Sequence, residues 1–436
     1  HRKLCFVCVP KRKNIRGKPF CRQQKGSRGF FAPFFKKEGR FDMYENWKIQ
    51  TGKFLTAQTI SLFGSVLVQY AMVWYLTLHT GSGKVLTLST ICGFLPQVLI
   101  SLFAGTWLDR YDRKKLMMIS DGVIAFVTGI LGISFLMGTA TTESVIVVLA
   151  IRSVGSGIQT PAVQAVIPQL VPKEALVQVN GIQSTSSAIT NFLGPVASGA
   201  VLGILGIEAT LFLDVITAMI GISITETVMI PKLKRKTEVS SWVQMAEGIA
   251  YIRRKQDVRY LLIFEFMTLF FVTPSAFLTP LLVSRSFGKE VWRLTCSEMT
   301  YSLGMILGGL LLAVWKGYPR RAKATLLTGT WYGILMFGIG LAPTFGIYLL
   351  CNTLIGIASP CYNAPITAFL QNRVPQEYHG RVFGFLQIAM SMAFPLGMLI
   401  FGPLADVMKI SRLLFIGGSG VLGVMAYSFF RKKLNF

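Results

Sequence analysis

Charge is scarce in this chain: of its 436 residues, 14% are Asp, Glu, Lys or Arg. Soluble domains carry about 25%, so a water-facing surface for a protein of this length cannot be assembled, and a soluble enzyme is the first class excluded. Histidine is scarcer still. His1, His79 and His379 lie far apart at loop or terminal positions, with no spacing for a metal site or a catalytic triad. No Gly-rich loop ends in Gly-Lys-Ser or Gly-Lys-Thr, so nothing in the sequence would cradle a nucleotide phosphate, and ATP is not the direct energy source. Of the seven cysteines, Cys92, Cys296, Cys351 and Cys361 lie mostly in apolar segments, where cysteine behaves as a small hydrophobe. No metal site, no cofactor and no disulfide framework is expected.

What the chain has in quantity is apolar sequence, 52% of residues with a mean hydropathy of +0.54, gathered in long blocks. About 20 apolar residues at 1.5 Å each cross a 30 Å hydrocarbon layer. That ruler gives twelve segments, approximately 54–78, 85–107, 116–138, 144–168, 179–203, 209–230, 258–283, 294–315, 322–341, 344–369, 382–405 and 412–430. Backbone in lipid must satisfy its own hydrogen bonds, so such runs are helices, whereas a barrel would show short alternating strands. The expected fold class is an all-α polytopic membrane protein.

The formal net charge of +25 needs no nucleic acid to explain it. Residues 1–42 hold thirteen Lys or Arg against Glu38 and Asp42. This stretch is expected to be a basic extension with no fold of its own, the membrane protein proper beginning at Met43. Two alternatives are a zinc knuckle from His1, Cys5, Cys8 and Cys21, which lacks a second cysteine pair, and a tail facing anionic lipid. Elsewhere the loops that alternate to one side carry 21 Lys or Arg and those on the other side 6. By the positive-inside rule both termini are cytoplasmic.

The expected organisation is a six-helix bundle over 43–230, a basic cytoplasmic linker over 231–257, and a second six-helix bundle over 258–436. In the linker, Trp242, Met245, Ile249 and Ile252 recur at three- and four-residue spacing, as in an interfacial amphipathic helix. A single offset of 203 residues lays Val171-Pro172 on Val374-Pro375, Gly181 on Gly384, Leu193-Gly194 on Leu396-Gly397, Gly199 on Gly402 and Gly105 on Gly308. The halves read as parallel repeats, an arrangement that places a substrate site between bundles near the bilayer midplane.

Three motifs carry a resemblance. Gly105-Thr-Trp-Leu-Asp109-Arg110-Tyr-Asp112-Arg113-Lys114-Lys115 closes the second segment and opens the third; an acid and a basic cluster at a membrane boundary can form a latch. It resembles the signature loop of the major facilitator superfamily. The second-half counterpart, Gly308-Gly309 to Arg320-Arg321, keeps the glycine and the basic residues and lacks the acid. Ile151-Arg152-Ser-Val-Gly155 is similar to the superfamily's Arg-bearing fourth helix, with the Arg-to-Gly spacing one residue short. Thr190-Asn191-Phe-Leu-Gly194-Pro195-Val-Ala-Ser198-Gly199 resembles the antiporter motif of drug exporters, with Thr190 and Ser198 where glycines are expected. Together with Asn180-Gly181, these residues look like the macrolide-efflux branch, which also includes siderophore exporters.

The resemblance implies the major facilitator fold, two pseudo-symmetric six-helix bundles in the plasma (inner) membrane of a bacterium. It also implies export of hydrophobic or amphipathic small molecules by proton antiport, driven by the proton motive force, with alternating access. The gating motif would comprise Gly105, Asp109, Arg110, Arg113 and Lys114, with Asp121 as salt-bridge partner of the basic loop. Acids inside helices are few, and the first segment holds only Gln58 and Gln69, so Glu265 and Asp214, with the costly Arg152, are the proton-coupling candidates. Gln58, Gln69, Asn191, Asn352, Tyr362, Asn363 and Gln387 are the polar and aromatic candidates for the substrate cavity. Expected partners are the lipid bilayer, a small-molecule substrate and protons, with no nucleic acid, for a monomeric chain. The alternatives are export of a siderophore or metabolite, and a non-transporting membrane receptor or scaffold.

Overall fold

A computed structural model describes residues 46–230, 250–314, 321–374 and 376–430. The expectations for residues 1–42 and for most of the linker lie outside the described residues. Among the described residues every regular element is helical: α1 Trp47–Thr80, α2 Gly83–Arg110, α3 Arg113–Leu136, α4 Thr142–Leu170, α5 Leu176–Glu226, α6 Gln256–Phe277, α7 Thr279–Ser286, α8 Val291–Val314, α9 Arg321–Leu341, α10 Phe345–Arg373, α11 Gln376–Val407 and α12 Ile410–Phe430, with a 3₁₀ turn at Lys173–Ala175. Ten helical stretches are long and apolar enough to cross a membrane.

One of these ten counts as two. Helix α5 has 51 residues, about 76 Å at ~1.5 Å per residue, more than twice the hydrocarbon thickness of about 30 Å. It breaks at Gly206, where φ is 86° and ψ is 179°, a conformation that is essentially glycine's alone. The fifth and sixth expected segments are therefore joined by a single bent residue where a loop was expected. The seventh is also divided: α6 ends at Phe277 and α7 restarts with Pro280 in its first turn, a position that needs no backbone N–H. With α5 split and α8 added, each expected segment has its helix.

Caps start and stop the helices. Asp112 accepts from the backbone N–H of Lys114 at 3.0 Å to open α3, and Thr141 and Ser144 form a reciprocal capping box on α4. Within the spans, hydroxyls turn back on their own helices, as Thr128 does to the Ile124 carbonyl and Thr268 to the Phe264 carbonyl, which satisfies polar atoms that lipid cannot. Large apolar side chains such as Phe126 (69% exposed) and Leu310 (59%) point outward, the reverse of a soluble surface.

Helices α1 to α5 pack on one another, α1 along α5 and α2 along α4; α6 and α8 to α12 form the second bundle, with α8 on α10 and α9 on α12. The halves meet where α2 packs on α11 and α5 on α8. Two N-half residues, Trp74 and Leu86, belong to the buried cluster of the C half with Leu282, Met398 and Phe401. These residues sit at the end of the bundle away from the basic loops.

Candidate functional site

At the basic end, the motif between α2 and α3 holds helix ends together. Arg113 donates to the Leu108 carbonyl at 3.1 Å and to the Ala165 carbonyl at 2.9 Å. Lys114 donates to the carbonyls of Glu226 and Val228 at 2.7 and 2.9 Å, placing positive charge on the C-terminus of α5, where the helix dipole favours it. Arg110 is exposed. Gly105 and Asp109 lie on α2, and the Asp109 side chain is outside the described ones. Asp121 is not turned toward the basic loop: it is buried on α3, where Gln159 of α4 donates to it at 2.6 Å and Ser61 of α1 lies beside it. About two turns of helix separate the basic cluster from Asp121, and the acid finds an amide on the facing helix.

Deeper in the N half, Arg152 forms a buried ion pair with Asp214 and also donates to Thr128 and, at 3.4 Å, to the Ser65 carbonyl. The side chains are 5% and 1% exposed. An arginine at the centre of a membrane helix costs about 2.5–3.5 kcal/mol, and the pair offsets that cost within the bundle. Thus two of the proton-coupling candidates are brought together and spend their charge on each other.

The third, Glu265 on α6, is fully buried and has no such partner. It accepts from the Tyr362 hydroxyl at 2.9 Å, with the Tyr362 ring stacked on Phe264. Among the described residues no lysine, arginine or histidine lies within ion-pair distance of it. Tyr362, a cavity candidate by sequence, is thereby Glu265's hydroxyl donor. Asn352 is also buried and donates to the Ser297 carbonyl at 2.7 Å and to Thr300 at 3.3 Å; Ser297 in turn meets the Tyr348 hydroxyl. Gln58 is buried, Gln69 lies against Gly93, Asn363 bonds back to the Ser359 carbonyl at 3.0 Å, and Asn191 and Gln387 are exposed.

In the antiporter motif, Gly194 lies against Val66 of α1 and Gly199 against Thr295 of α8. A side chain at either glycine would collide, so the motif is a close-packing surface, and at Gly199 that surface joins the two halves.

The sequence reading missed Glu298. It lies on α8 and meets the Tyr70 hydroxyl of α1, with Tyr301 close by, so it bridges the halves. The signal was present: an acid inside an apolar segment, the criterion that selected Glu265.

A helical membrane protein of two packed halves, with acids buried in its interior, is the architecture of a secondary transporter. The profile of the Major Facilitator Superfamily matches residues 54–398, and the chain belongs to that family. Among its relatives, Macrolide efflux protein A of Streptococcus pyogenes is 30% identical over 386 residues, covering 87% of this chain and 95% of the relative. The Staphyloferrin A transporter of Staphylococcus aureus is 24% identical over 387 residues, 88% of this chain and 97% of the relative. Among solved structures, the nucleoside transporter NupG superposes with a TM-score of 0.67 at 16% identity, over 88% of this chain and 99% of that one. A bacterial homologue of the lysosomal transporter Spinster, in an inward-facing unoccupied conformation, gives 0.63 at 13% identity, over 88% and 96%. The chain is a multi-pass membrane transporter of the efflux type.

Proposed function

We propose that this transporter exports hydrophobic or amphipathic small molecules of the macrolide type from a bacterial cell, in exchange for protons, by alternating access in the plasma membrane. The observation that carries this reading is the 30% identity to Macrolide efflux protein A across nearly the whole of both chains. The positive-inside bias supports a cytoplasmic position for both termini. Proton exchange requires a carboxyl that can be neutral when buried and charged when wetted. Glu265 is the foremost candidate, because it is buried against a hydroxyl and not a cation; Glu298, at the junction of the halves, is the second.

Export of a siderophore, the second reading, would ask for positive charge facing an anionic ligand, and the Staphyloferrin A transporter is a relative. Arg152, the buried arginine among the described residues, is committed to Asp214, which favours the drug-type substrate.

The test is a drug-susceptibility panel in an efflux-deficient host, joined to proton-flux measurements in proteoliposomes. Macrolide resistance with drug-dependent proton flux is the expected outcome. Glu265→Gln is expected to abolish proton-driven export while leaving the protein folded and able to bind drug, and full transport by that variant would reject Glu265 as the carrier. No substrate-dependent flux with any drug would favour a receptor or scaffold.

A further inference from the structure

At the end of the molecule away from the basic loops, three segments distant in sequence converge on one carboxylate. Asp406, near the C-terminus of α11, accepts from the Ser82 hydroxyl at 3.0 Å and from the backbone N–H groups of Gly83 and Lys84 at 2.6 and 2.9 Å. Those N–H groups belong to the first turn of α2, which no intrahelical carbonyl can satisfy. Arg285, at the end of α7, donates to Asp406 at 3.0 Å, to the Gly81 carbonyl at 2.6 Å and to the Ala405 carbonyl. Below this cluster Thr87 donates to the Met398 carbonyl at 3.1 Å. A side chain at Gly83 would strike the Gly402 carbonyl, and one at Gly402 would strike Thr87. Next along α2, Phe94 packs edge-on against Phe277, which packs on Phe394.

The capping of α2 is the telling detail. Ser82 stands at the N-cap with extended backbone, φ −102° and ψ 131°, yet its side chain does not cap its own helix. Serine there ordinarily accepts from the second or third N–H of the helix. Here the acceptor comes from the other half of the protein, and the serine hydroxyl donates to that acceptor. Separating the halves at this end would take the cap away, leave Arg285 without its carboxylate, and free Ser82 to cap α2 itself.

We propose that Asp406 and Arg285 are the outer gate of the transport cycle: a latch that holds the halves shut at the extracellular end and is exchanged for the Ser82 self-cap when that end opens. This rests on the alternating-access reading and on the positive-inside orientation. At its other end α2 is tied within the N half, where Arg113 donates to the Leu108 and Ala165 carbonyls.

The test uses the full chain in nanodiscs, with spin labels at the exposed positions Lys84 and Lys409 reporting distance across the outer end. Asp406→Asn and Arg285→Gln are each expected to raise the long-distance, outer-open population by about tenfold, the effect of losing one charge-assisted contact, and Ser82→Ala by less. Unchanged distance distributions in both Asp406→Asn and Arg285→Gln would overturn the proposal. Because a variant could perturb folding instead, Ser82→Cys/Asp406→Cys is made as well. Oxidation is expected to stop the transport that the reduced double variant retains and reduction to recover that same level, while oxidant changes the transport of neither single variant; transport that continues through a formed cross-link overturns the gate. Distances that respond to the latch in a protein that moves no drug would reject the export reading and leave the latch standing.

Discussion

The two halves differ in the partners they give their buried acids. In the N half, Arg152 and Asp214 neutralise each other inside the bundle, and Asp121 is held by the amide of Gln159. In the C half, Glu265 meets a tyrosine hydroxyl within the bundle and Glu298 meets one across the interface. The described ion pairs of the C half lie toward helix ends: Arg373–Asp257, Arg293–Glu290 and Arg285–Asp406. The Arg152–Asp214 contact is an ion pair, whereas the contacts of Glu265 and Glu298 are hydrogen bonds from hydroxyls. The coupling we propose falls in the C half.

The largest effect expected from breaking that contrast is at Asp214. Asp214→Ala leaves Arg152 buried and unpaired, a loss of about 3–5 kcal/mol by the behaviour of broken buried pairs, read as a collapse of folded yield or of the melting temperature in detergent. Replacing both partners, Arg152→Leu with Asp214→Leu, is expected to recover much of the loss, since two well-packed apolar groups need no compensation. A double variant that folds and still couples drug export to protons would assign the pair to structure alone. One that folds but fails to transport would move the coupling site into the N half and dissolve the contrast.

Smaller effects follow in the C half and at the break in α5. Gly206→Ala forces a side chain into glycine's own backbone region at about 1–3 kcal/mol. Tyr362→Phe removes a hydrogen bond from Glu265 for about 1.5–3 kcal/mol while the carboxyl is charged and less when it is neutral. Measured as melting temperatures, the Tyr362→Phe loss is therefore expected to shrink when Glu265→Gln is already present. Strict additivity of the two would mean that the hydroxyl and the carboxyl do not act on each other.

How much of this was legible in the sequence depends on range. The spans could be read because bilayer thickness dictates their length. The partner of Arg152 could not, since Asp214 is 62 positions distant and only packing of α4 on α5 decides the pairing. Asp121 was misdirected by the nearness of the basic loop in sequence, when Gln159 on the facing helix was nearer in space. Asp406 offered no signal, because what makes it special is the first turn of a helix more than 300 residues earlier.

The smallest expected effect is at the exposed pair in the turn before α8. Glu290 accepts from Arg293 at 2.7 Å and is 55% exposed on its side chain. Its own backbone N–H first, and then Arg293, hold its carboxyl below the usual carboxylate range. A lowered folded-state value means that any stability it adds is fully present above the ordinary range and disappears as pH falls through the lowered one. Water screens that contribution to almost nothing. Arg293 also has a second anchorage, its guanidinium lying 4.8 Å from the centre of the Trp292 ring and 5.4 Å from that of Phe345, so it stays in place without the acid. Glu290→Gln is therefore expected to leave both the melting temperature at neutral pH and the rate of drug export unchanged, in contrast to Asp214→Ala. A clear loss at Glu290 would mean that this turn contacts something the isolated chain does not, and that burial alone does not separate structural charge from idle charge in this protein.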